Sequence, residues 1–127
     1  MSAEGIVDRY CEAWSLPEPS QRAAALAESW APAGSYSDPM VSVTGTDTLL
    51  AHIARVRANY PQARVVRTSV VDVHGSHARF AWQMVLADGT RLPEGTDVVH
   101  LSEDHSRIES IIGFFGPLKA RRRSDLP

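Results

Sequence analysis

Cysteine is almost missing from this chain: Cys11 stands alone among 127 residues. An internal disulfide is therefore excluded, and Cys11 reads as a core thiol in a reducing compartment. Long apolar runs are missing too. No uncharged hydrophobic stretch approaches the roughly 20 residues that cross a bilayer, and the N-terminus lacks the basic region and apolar run of a signal peptide, so the expected location is cytoplasmic, with no membrane partner. Glycine-rich phosphate loops, a G-x-S-x-G nucleophile elbow and zinc-spaced Cys/His groups are all absent. With no histidine pair at i,i+4, no metal site is expected, and no metal or nucleotide cofactor. The net charge of -2 gives no pull toward nucleic acid or anionic membranes.

That balance hides an asymmetry. Residues 117–127 carry four of the thirteen basic side chains (Lys119, Arg121, Arg122 and Arg123) and one of the fifteen acidic ones, Asp125. The remainder is about five charges negative. The basic cluster is short and not interleaved with aromatics as a stacking platform would need, so no nucleic-acid partner is expected. The chain divides into one domain over residues 1–116 and a basic, solvated tail over 117–127.

The first third has helical periodicity. Ile6, Tyr10 and Trp14 recur every four residues, with Val7 and Cys11 beside them. "LPEPS" interrupts this face and "PSQRAAALAESW" resumes helix, its prolines at the start where they are tolerated. "APAGSYSDP" has loop composition. "GTDTLLAHIARVRANYP" gives a third helix, with Thr46 as cap, Leu49, Ile53, Val56 and Tyr60 on the apolar face, Arg55 and Arg57 toward water, and Pro61 as stop.

From Ala63 the period changes to two. "ARVVRTSVVDV", "HARFAWQMVLA", "RLPEGTDVVHL" and "RIESIIGFF" are strand candidates, separated by Gly75-Ser76, Asp88-Gly89 and "SEDHS". Short links favour an antiparallel meander, with a short extra strand around Tyr36–Val43. Pro93 and Gly95 suggest a bulge before Asp97. The expected fold is α+β: three N-terminal helices against a strongly curved, mostly antiparallel sheet that together enclose a cone. Phe80, Trp82, Met84 and Leu86 share one strand face, as do Ile111, Gly113 and Phe115. Asp97 and Val99 face together, away from His100. Apolar residues on both sheet faces, Val65 and Val71 among them, predict a homodimer through the outer face.

Three dispersed polar residues stand out against this pattern: Tyr10 in the first helix, Asp38 in "YSDP" and Asp97 in "GTDVVHL". Converging in one apolar cavity, they would supply a general base and two hydrogen-bond donors, the minimum for moving a proton next to a carbonyl. Each has a plainer role available. Tyr10 serves as a core residue, Asp38 before Pro39 closes an Asx-type turn, and Asp97 forms a structural tie. Trp82 and Phe115 are the expected lining of such a cavity, with Met84, Phe80 and Trp14 beside them.

The motifs "IVDRYCEAW", "SYSDPMVSVTGTDTLLAHI", "HARFAWQMVL", "GTDVVHLSEDHSRI" and "SIIGFFG" carry a resemblance over residues 4–116. The chain resembles the nuclear-transport-factor-2-like superfamily of cone-shaped domains, which includes small polyketide-cyclase-like proteins and ketosteroid isomerases. Its functional pattern is most similar to ketosteroid isomerase. That resemblance implies Asp38 as the base that shuttles the proton, with Tyr10 and a protonated Asp97 as oxyanion donors to a steroid- or polyketide-like ligand. Ser35 and Tyr36 before Asp38, and the bulk of Trp82, depart from the isomerase. The alternatives are a non-catalytic small-molecule binding domain and a polyketide-cyclase-like enzyme with Asp97 as base. Arg79-Phe80-Ala81 lacks the paired acid of the related epoxide hydrolases. For a His–Asp dehydratase, His77 is the one loose candidate for a cavity histidine.

Overall fold

A computed structural model describes residues 2–125. Helix α1 (Ala3–Ser15) starts at Ser2, whose side chain accepts from Gly5 N, and buries Ile6, Val7, Tyr10, Cys11 and Trp14. Helix α2 (Pro19–Ser29) carries a capping box between Glu18 and Gln21. The chain then forms strands β1 (Trp30–Asp38) and β2 (Val41–Thr44), helix α3 (Thr46–Asn59), and strands β3 (Arg64–Arg67), β4 (Asp72–His74), β5 (His77–Val85), β6 (Gly95–Leu101) and β7 (Ile108–Phe114). The strands form one sheet in the order β2-β1-β7-β6-β5-β3, with β4 also paired to β5. All pairs are antiparallel except β1 with β7. This is the α+β cone expected from the sequence, with the helices on the concave face.

The core lies between α1, α2, α3 and that face, around Leu26, Leu49, Ile53, Val99, Ile108 and Ile111, each at most 1% exposed. Polar ties fix α1 against the far edge of the sheet. Val65 N donates to Ser15 Oγ at 2.9 Å, and the Arg67 guanidinium reaches Asp8 and Glu4 at 2.7 Å each. Burying the α1 face orients Tyr10 and Trp14 toward the interior of the cone.

Several local expectations are corrected. The "APAGSYSDP" segment is strand β1, because non-local pairing with β7 and hairpin pairing with β2 override its turn-like composition. Its register shifts between Trp30 and Ser35, the stretch that holds Pro32 and Gly34. Gly45, not Thr46, is the N-cap of α3. "ARVVRTSVVDV" breaks into β3 and β4. Instead of a bulge before Asp97, β6 begins at Gly95, and the irregularity between β6 and β7 lies at His100/Leu101. Arg57 is not on a wet side: its guanidinium donates to Trp14 O and Ala63 O. Val65 faces the interior, while the exposed apolar residues of the outer face are Val98, Ile112 and Phe114. Lys119 and Arg121 to Arg123 are exposed, as a solvated tail requires; residues 126–127 of that tail lie outside the described residues.

Candidate functional site

The open end of the cone holds a cavity of about 670 Å³. Helix α1 contributes Tyr10, Cys11 and Trp14 to its wall, and α3 contributes His52, Val56 and Tyr60. Tyr36, Asp38 and Met40 come from the β1–β2 hairpin, and Phe80, Trp82 and Met84 from alternate positions of β5. Asp97, Phe115 and the loop residues Leu92 and Pro93 complete it. All eight residues singled out from the sequence (Tyr10, Trp14, Asp38, Phe80, Trp82, Met84, Asp97 and Phe115) therefore meet in one cavity.

Asp97 is the more deeply buried of the two acids, 5% exposed. It lies opposite Phe80 on one side and Gly113 on the other. Its Oδ1 accepts a hydrogen bond from the Trp82 indole Nε1 at 2.9 Å. Burial pushes its carboxyl up to about 7; the charge of Asp38 adds to the rise and the Trp82 N–H opposes it. Gly113 makes room for this acid. A Cβ there would sit 3.0 Å from Asp97 Oδ1 and 3.6 Å from Asp38 Cβ, so the two acids flank one glycine.

Asp38 is held quite differently. Its Oδ1 accepts from Met40 N at 2.8 Å and Val41 N at 3.0 Å, and its Oδ2 accepts from the Tyr36 hydroxyl at 2.6 Å. The Asx-type turn is thus present, yet the carboxylate still lines the cavity. Tyr36 is buried and its phenol is pushed well up, first by burial and then by the bond to Asp38 and its charge. The Tyr10 hydroxyl is likewise pushed well above its ordinary value, by burial first and then by Asp97 and Tyr36. Both phenols stay protonated and able to donate.

Sequence reasoning missed two residues of this site. Tyr36 entered as the start of a short expected strand and as a departure from the isomerase pattern, with no role in the site, although its spacing of two from Asp38 on a strand places both on one face. His52 was assigned to the third helix without a role; it is the cavity histidine, whereas His77 stacks on His100 outside, with ring centroids 4.9 Å apart. The His52 ring meets Trp14 edge-on at 5.7 Å and lies tilted against Tyr36 at 5.8 Å. Burial lowers its pKa, with Asp38 opposing and Arg55 reinforcing the shift, so the imidazole is neutral at pH 7. A helical wheel through Trp14, His52 and Val56 cannot reveal this, because the two helices meet only in the fold.

A second, open depression of about 700 Å³ lies at the other end, between Val73, Gly75 and the His100–Glu109 segment. It gathers no buried acid. Among the described residues no group of three His, Cys, Asp or Glu side chains is placed to hold a metal ion, and no helix is long and apolar enough to cross a membrane.

The profile of the SnoaL-like domain family matches residues 7–111. No functionally curated protein matches the chain. Among solved structures, a candidate isomerase of the SnoaL-like family from Agrobacterium tumefaciens str. C58 is 30% identical, with a TM-score of 0.83 over 92% of this chain and 100% of that one. A Catenulispora acidiphila DSM 44928 protein of ketosteroid isomerase-like fold, solved in complex with trimethylamine, is 19% identical (TM-score 0.70; 91% and 88% covered). A candidate SnoaL-like polyketide cyclase from Jannaschia sp. CCS1 is 16% identical (TM-score 0.69; 88% and 83% covered). The last two are similar in fold.

Proposed function

The chain belongs to the SnoaL-like domain family, and we propose that it is an acid/base enzyme that moves a proton next to a carbonyl in a hydrophobic small molecule, as an isomerase or a cyclase does. The observation that carries this reading is Asp97: a buried carboxyl in an apolar cavity, with one side-chain donor and a pKa of about 7. A base is most effective when its pKa lies near the working pH. Asp97 takes the proton α to the carbonyl, and the Tyr10 hydroxyl donates to the oxygen as charge develops there. One such donor is worth about 3 kcal/mol in the transition state. Returning the proton to another carbon completes an isomerisation; attack of the enolate carbon on a second carbonyl, whose oxygen then takes the proton back from Asp97, completes a cyclisation. Asp38, anchored by three donors, adds its charge to the burial that holds the Asp97 pKa up.

A second arrangement keeps Asp38 as the shuttle and Asp97 as a protonated oxyanion donor. It is favoured by the place of Asp38 on the same cavity wall and by the shared Gly113. One experiment separates the two: hydrogen–deuterium exchange at the α carbon of 2-tetralone in D2O, followed by NMR. Asp97→Asn should abolish most catalysed exchange and Asp38→Asn a smaller part. Unchanged exchange in Asp97→Asn would sink the Asp97 assignment, and loss confined to Asp38→Asn would install the second arrangement.

The proposal extends to assembly and location. Val98, Ile112 and Phe114 form an apolar strip on the central strands of the outer face, 37%, 51% and 55% exposed, and support a homodimer that covers it. The single buried thiol, Cys11, supports a reducing, cytoplasmic setting.

A further inference from the structure

The charged groups on the cavity wall are of one sign. Asp38 and Asp97 line it, and among the described residues no Lys or Arg does. Of the neighbouring guanidiniums, Arg57 is engaged on the carbonyls of Trp14 and Ala63 and Arg67 on Asp8 and Glu4, while Arg55, felt at His52, is exposed on α3 and off the wall. Two acids flanking one glycine in an apolar hollow, with no basic side chain on its wall, disfavour an anionic ligand and lower the cost of bringing in a cation.

Beside Asp38 the wall is aromatic. Trp14, Tyr36 and His52 pack pairwise with centroids 5.6, 5.7 and 5.8 Å apart. The indole and phenol faces attract cations, most strongly where water is excluded. His52, neutral and without a hydrogen-bond partner among the described residues, adds no competing positive charge.

We propose that the ligand of this cavity carries an ammonium group, held between the Asp38 carboxylate and the Trp14–Tyr36–His52 rings, with its apolar body extending to Asp97. This rests on the acid/base reading for its consequence at Asp97. A positive charge in the cavity favours the ionised carboxylate, so the arriving substrate switches on the base that will take its proton. The titratable groups on the cavity wall are Asp38, Asp97, His52, Tyr10, Tyr36, Tyr60 and Cys11. The Tyr10 and Tyr36 phenols and the Cys11 thiol are pushed upward and stay neutral, so Asp97 is the group that answers with a proton.

One skeleton in three charge states tests this: 2-aminoindane as its ammonium, 2-indanol, and indane-2-carboxylate, each titrated calorimetrically into the full chain at pH 7. The ammonium should bind at least about tenfold tighter than the alcohol, and the carboxylate more weakly than the alcohol. Repeating the titration in two buffers of different ionisation heat should show proton release with the ammonium and none with the alcohol. Asp97→Asn should remove the release, and Asp38→Asn should remove most of the ammonium preference. Equal or tighter binding of the alcohol or the carboxylate, or no ammonium binding up to millimolar concentration, overturns the proposal. Exchange of 2-tetralone by a protein without ammonium preference sinks this inference alone and leaves the acid/base reading standing. Ammonium preference without exchange upholds the inference and removes the enzyme.

Discussion

Trp82 and Asp97 are diagonal neighbours across the β5–β6 ladder, and the indole N–H bonds the carboxyl at 2.9 Å because the residue opposite Trp82 is Gly95. A Cβ at Gly95 would lie 2.5 Å from Trp82 Cζ2, so the indole crosses the space a side chain would fill. Trp82 thereby acts as a positioning residue for the acid as well as a wall of the cavity.

Trp82→Phe keeps a ring in place and removes the donor. Because the N–H favours the ionised form, the Asp97 pKa should rise further above 7. A hydrogen bond to a charged group contributes about 1.5–3 kcal/mol. The variant should lose stability of that order above pH 7, where Asp97 is ionised, and much less below it. Urea unfolding on both sides of neutrality measures the difference; an equal loss at both pH values would contradict it.

Asp97 also sets a pH slope of its own. Its folded pKa of about 7 is above the ordinary value of 3.8, so between these limits the folded state holds a proton that the unfolded chain has released. Stability contributed by that proton is fully present below pH 3.8 and is lost as pH rises through 7. The loss is on the order of 1.4 kcal/mol for each pH unit of the window at most. Asp97→Asn should flatten the slope and melt at a higher temperature than the wild type at pH 8. A slope unchanged by the substitution would locate the effect in another group.

Gly113→Ala places a methyl 3.0 Å from Asp97 Oδ1, so the carboxyl must give by a few tenths of an ångström. The expected cost in stability is about 1 kcal/mol. Exchange of 2-tetralone should fall more than the fold suffers, by about tenfold for a misplaced acid. Full exchange activity in a well-folded variant would show that Asp97 does not need its present position.

The outer face yields to a charge. Ile112→Glu with Phe114→Glu leaves the cavity untouched, since neither residue lines it, and should convert the proposed dimer into a monomer in sedimentation. A wild type that sediments as a monomer at micromolar concentration removes the dimer.

The sequence made the α+β cone legible because α1 and β5 carry unmixed periods. Spacing by four brought Tyr10 and Trp14 to one face, and alternation brought Phe80, Trp82 and Met84 to another. The first part of strand β1, before Tyr36, was illegible for the opposite reason. Its pairing with β7 joins segments some seventy residues apart, and no local pattern in "APAGSYSDP" announces it. Tyr36 fell within the short strand expected around Tyr36–Val43, but with "YSDP" read as a turn the face it shares with Asp38 stayed hidden. His52 depends on how α1 and α3 approach each other, which no single helix encodes. Trp82 as a donor to Asp97 needed the β5–β6 register and the empty place at Gly95, both properties of the pairing.

The account stands on the protonation of Asp97. Carboxyl-carbon NMR, with aspartate labelled and the wild type compared with Asp97→Asn, follows that group across the whole pH range. One carboxyl should titrate near pH 7 in the wild type and be missing from the variant. If no aspartate signal of the wild type titrates near neutrality, Asp97 is an ordinary ionised carboxylate and the cavity has no poised acid.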